Sequence, residues 1–67
     1  MVDLKALAEV RRKKLLSQAE LAERAGVSKN TIHRIETGAS LAQGRTVRKL
    51  AEALGVEPLE LMETEKA

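Results

Sequence analysis

Apolar residues along this chain recur at spacings of three and four, and glycines at 26, 38, 44 and 55 punctuate the runs. That period belongs to amphipathic helices, whereas half-buried strands alternate. The first run, Leu4, Leu7, Val10 and Arg11, predicts a helix over about residues 3–14 with Asp3 as its N-cap. Leu21, Ala22 and Ala25 give a second helix over about 18–25. It opens on Ser17 and Glu20, whose S-x-x-E spacing is a capping box, and Gly26 supplies the left-handed residue that stops it. Ser28 then caps a third helix over about 29–37, with Ile32 and Ile35 turned inward and Gly38 closing it. Val47, Leu50, Ala51 and Leu54 mark a fourth over 44–54. Pro58 falls in the first turn of a fifth, about 58–63, where its missing N–H is no loss. Residues 64–67 are expected to fray.

The reading is therefore a compact all-α fold of five helices in one domain, 1–67. Residues 39–43 between the third and fourth helices are a loop, expected to be anchored by Leu41. Ser40 and Gln43 have capping-box spacing for the fourth helix, although Gly44 then weakens its first turn by roughly 1 kcal/mol relative to Ala. Arg11 interrupts an apolar stripe. Either its guanidinium meets a carboxylate there, or its head reaches past the stripe to water.

Composition narrows the function. The 67 residues are 43% hydrophobic yet contain no aromatic ring and no cysteine. Disulfides and thiolate metal sites are excluded, and one histidine cannot hold a metal alone. No metal or cofactor is expected. Stacking platforms for single-stranded nucleic acid normally need aromatic side chains. The serines serve as caps, His33 has no nucleophile to activate, and no glycine-rich phosphate cradle occurs, so an enzyme is not expected. No apolar run approaches the roughly 18 residues of a membrane span, and no secretory signal opens the chain. The expected location is the cytoplasm of a bacterial or phage-type system, on the nucleoid when bound. Charge is uneven: residues 1–50 hold eleven Lys/Arg against five Asp/Glu, and residues 51–67 hold one Lys against five Glu. A basic body with an acidic end suits a polyanion on one side.

The third helix carries the most informative face. With Ile32 and Ile35 inward, Lys29, Asn30, His33, Arg34 and Thr37 cover the opposite surface. Such groups match the donor and acceptor pattern of the DNA major groove: Arg and Lys suit guanine O6/N7, Asn suits adenine N6/N7. An ordinary solvated face would present similar residues, and periodicity alone leaves both readings open.

The segments Leu16–Gly38 ("LSQAELAERAGVSKNTIHRIETG"), then "LAEALGV" and "LEL", resemble the phage-repressor family, the Cro/repressor-type five-helix DNA-binding domain. The resemblance runs from Leu7 to Leu61, and Gln18, Ala22, Gly26, Ile32, Ile35 and Gly38 fall on the family's pattern. It implies a sequence-specific regulator of double-stranded DNA, a repressor, with the second helix braced over the backbone and the third in the major groove. It implies base contacts by Lys29, Asn30 and Arg34, with Ser28 close by, and phosphate contacts by Gln18, Thr37 and Gly38. It pairs Arg11 with Glu36 as a structural ion pair. It also implies a homodimer on a palindromic operator, for which Leu41, Leu59 and Met62 are the candidate surface; Leu59 and Met62 serve equally well as core.

The chain departs from that family in three places. Leu15 stands where glycine commonly ends the first helix. Ala39 and Ser40 replace the loop cations that meet the DNA backbone. Ala42, Gln43 and Gly44 replace a Pro-and-apolar start to the fourth helix, with Arg45 and Arg48 as cations nearby. Two other classes compete with the regulator. An antitoxin-like or bridging module would hold a protein partner on the acidic end, and a bare helical scaffold would bind neither.

Overall fold

Residues 1–62 are described by the structure, a computed structural model. The first helix, α1, spans Leu7–Lys13, four residues later than the pattern predicts. Asp3 is not its N-cap: Ala6 holds that position and makes no side-chain capping bond. The cause is long-range. Val2 pairs with Ala42 as an isolated antiparallel bridge, with reciprocal N–H···O bonds of 2.7 Å. The Ala6 N–H donates to the Leu61 carbonyl at 3.0 Å, so the leading residues are held across two later segments. Leu4 is still buried, but from this extended lead, not from a helical turn.

Helix α2 covers Gln18–Ala25 and α3 covers Lys29–Glu36. The Ser17 hydroxyl accepts from the Glu20 N–H at 3.0 Å, and the Glu20 carboxylate accepts from the Ser17 N–H at 2.9 Å. At the other end Gly26 takes φ 72°, and the N–H groups of Gly26 and Val27 both donate to the Ala22 carbonyl. Val27 packs against the core from the corner, and Ser28 restarts the helix. The caps on either side thus turn the chain within three residues, with Val27 seated on the core between them.

Helix α4 spans Gly44–Leu54 and α5 spans Pro58–Met62. Gln43 occupies the α4 N-cap position without a side-chain bond, so the Ser40–Gln43 capping box does not form. Nor does Leu41 anchor the loop. It is 48% exposed, whereas Ala42 is buried, because the bridge to Val2 turns the smaller side chain inward. Val10, expected inward, is half-buried. The expected fraying of 64–67 and the end of the fifth helix at 63 lie outside the described residues.

Helix α2 packs on α3 and α4, α5 joins α4 to α1, and α1 also meets α3. The centre is aliphatic: Leu4, Leu7, Leu21, Ile32, Leu50 and Leu61 are fully buried. Each such side chain contributes about 1.5–3 kcal/mol by leaving water. In a chain this small these few residues carry most of the stability. Ala22 and Ala25 supply the small contacts that let α2 lie against its neighbours. Regular structure among the described residues is all-α, apart from the bridge. No described helix is long and apolar enough to cross a membrane.

Candidate nucleic-acid interface

Burying Ile32 and Ile35 fixes the rotation of α3, and the remaining positions follow from it. Lys29, Asn30, His33 and Arg34 are all exposed. Glu36 is the one acidic residue of α3, and its side chain is turned inward at 5% exposure. The outward face therefore carries cations and neutral donors without an opposing carboxylate. The N-terminal end of α3 adds the positive end of its dipole.

Those residues fall into two groups. Lys29, Asn30 and His33 share a shallow open depression with Gln18 from the start of α2. Arg34 lines a separate groove on the loop side, together with Met1, Thr31, Leu41, Gln43 and Thr46. His33, for which the sequence named no contact, belongs with the first group. Its spacing of three and four from Asn30 and Lys29 is the signal that places it on that face.

The neighbours of α3 are committed to local bonds. Ser28 Oγ accepts from the Thr31 N–H at 3.0 Å and lies 2.8 Å from the Thr31 hydroxyl. The Thr37 hydroxyl donates to the Arg34 carbonyl at 3.3 Å. The Gly38 N–H donates to the Ile35 carbonyl at 3.2 Å. Ser28, Thr37 and Gly38 are exposed, and so are Arg45 and Arg48 on α4. Leu59 is 60% exposed, while Met62 is half-buried against the core.

Beneath the face lies a charged knot. Arg11, only 8% exposed, donates from Nε to Glu36 Oε2 at 2.7 Å and from Nη2 to Oε1 at 3.1 Å. Its Nη1 donates to the Leu16 carbonyl at 2.8 Å. Gln18 Nε2 donates to Glu36 Oε1 at 2.8 Å. Burial pushes the Glu36 carboxyl up, but hydrogen bonds from Arg11 and Gln18, with the charges of Arg11 and Arg12, hold it below the usual carboxylate range. The Arg11 guanidinium is raised above its ordinary value, chiefly by the bond to Glu36 and against the pull of desolvation. A desolvated cation is tolerable here because a carboxylate and a carbonyl occupy its donors. The Gln18 bond was not legible in the sequence, since its partners stand 18 positions apart.

Among the described residues no group of His, Asp and Glu could hold a metal ion. What the face offers is a short cationic helix with a braced neighbour at its start.

Comparison with known proteins places this arrangement. The helix-turn-helix family HTH_3 matches residues 7–61, most of the chain. Among solved structures, the chain is similar to the restriction-modification controller protein C.AhdI from Aeromonas hydrophila. The two share 36% sequence identity and a TM-score of 0.82, over 90% of this chain and 92% of that one. Curated protein sequences yield no match. The matched segment contains the α2–α3 corner, the aliphatic core apart from Leu4, and the outward face of α3. The chain belongs to the helix-turn-helix family and is a non-enzymatic, DNA-binding transcription regulator.

Proposed function

We propose that the protein is a sequence-specific repressor that reads the major groove of double-stranded DNA with α3. The observation that carries this reading is the exposed face of Lys29, Asn30, His33 and Arg34 over the buried Ile32 and Ile35. Lys29 and Asn30, with Ser28 beside them, contact base edges near the start of α3, and Arg34 contacts a base edge one turn on. Gln18 at one flank and Thr37 and Gly38 at the other lie where the phosphate backbones pass. Arg11 and Glu36 hold α3 in its orientation.

The operator is a palindrome bound by a homodimer, with half-sites about 34 Å apart, one helical turn. A single short reading helix gives too few base contacts for tight binding, and the exposed Leu59 and Leu41, with Met62, offer apolar surface for pairing. Likeness to a restriction-modification controller supports a role in regulating genes of that kind from the cytoplasm.

Binding-site selection from random duplexes tests the proposal. The expected outcome is one enriched sequence made of two inverted half-sites. Recovery of unenriched duplexes from a folded protein that binds them would contradict it.

A further inference from the structure

Glu36 accepts from both Arg11 and Gln18. A carboxylate can only accept, so the Gln18 amide has one workable orientation: its NH2 toward Glu36 and its carbonyl oxygen away. Gln18 also lines the depression shared with Lys29, Asn30 and His33. Its oxygen is thus an acceptor beside residues that mostly donate. Arg11 fixes the carboxylate in turn, and is itself fixed on the Leu16 carbonyl. A chain of hydrogen bonds runs from the interior to the reading face.

We propose that Glu36 is a positioning residue for base recognition. It holds the Gln18 amide so that the oxygen faces the groove and accepts from an exocyclic amino group, N6 of adenine or N4 of cytosine. The inference rests on α3 being the reading helix. It adds a base preference to the flank role of Gln18, whose second Nε2 hydrogen remains available for a phosphate.

The informative variant is Glu36→Gln. With its oxygen at the Oε2 position the new amide still accepts from Arg11 Nε, while its NH2, at the Oε1 position, gives up the bond from Arg11 Nη2 and donates toward Gln18. The Gln18 amide then turns over and presents NH2 to the groove, a partner for guanine O6/N7 or thymine O4. Binding-site selection is run with the wild-type chain, Glu36→Gln and Gln18→Ala, each melted beforehand to establish that it is folded at the selection temperature. In the wild type one position per half-site should favour an amino-bearing base, on the order of tenfold over the others. Glu36→Gln should move that position toward guanine or thymine, and Gln18→Ala should flatten it while other positions keep their preference. If the folded variants lose affinity on every sequence alike and keep the wild-type preference throughout, Glu36 is scaffold only and the proposal fails. Should Glu36→Gln not fold, Glu36→Asp takes its place: a carboxylate one methylene further from the Gln18 amide should weaken the preference at that position, and an unchanged preference there overturns the proposal. A wild type that enriches no sequence overturns the reading of α3 itself, a result distinct from unchanged preferences in the variants.

Discussion

Leu15 sits at φ 60° with 89% of its surface exposed. A left-handed backbone costs an L-residue roughly 1–2 kcal/mol, and here no buried contact of the side chain offsets it. The resemblance to the repressor family puts glycine at this position, and the geometry supplies the reason. Leu15→Gly relieves the strain, and the extra freedom of glycine in the unfolded chain returns about 0.5–1 kcal/mol of it. A thermal melt should show a net gain of several degrees, since about 1 kcal/mol moves a domain of this size by roughly 4–8 °C. An unchanged or lower midpoint would mean that Leu15 makes contacts in solution.

Glu36 carries a pH dependence of known sign. Its folded pKa is depressed, so the unfolded chain takes up the proton first. The stability it contributes is present above the unfolded carboxylate value, about 4.3, and is lost as pH falls through the folded one. Glu20 is depressed as well, by the Ser17 backbone and side-chain bonds, but it is common to both proteins in a comparison with Glu36→Gln. Urea midpoints at pH 7 and pH 3 should show Glu36→Gln less stable at neutrality, with the gap narrowing in acid. A gap that is constant or widens in acid would contradict the assignment.

Among the elements, the α2–α3 corner was legible in the sequence because each of its parts acts on its neighbours: Ser17 with Glu20, Gly26 with Ala22, Ser28 with Thr31. Such bonds span only a few residues, and residue type suffices to read them. The start of α1 was not legible, because pairing of Val2 with Ala42 and of Ala6 with Leu61 decides it. No local pattern announces a partner some forty residues away. Exchange of Leu41 for Ala42 as the loop's buried residue has the same cause. The outward face of α3 could be listed from periodicity, but its division between the Gln18 depression and the Arg34 groove needed the packed neighbours. If the corner rests on local caps, Ser28→Ala should cost about 1 kcal/mol in chemical denaturation. A wild-type midpoint would show that packing against α2 fixes the start of α3 unaided.

For the whole molecule, the fold class and the number of helices followed from a 3.6-residue period and four glycines, and most of the core from the same period, which did not mark Ala6, Leu16 or Ala42 and did mark the half-buried Val10. Charge organisation was legible as well. Eleven of the twelve Lys/Arg precede residue 51, and half of the Asp/Glu follow it. The hydrogen-bonded route from Arg11 through Glu36 to Gln18 was hidden, since it joins three segments.

The central claim is that α3 reads base edges with the residues outside its two buried isoleucines. Binding-site selection with Asn30→Ala and Arg34→Ala, each folded, tests it most directly. Each variant should lose about 1–3 kcal/mol of discrimination at its own base pairs and leave the other positions as they were. Retention of the full wild-type preference by both variants would contradict it.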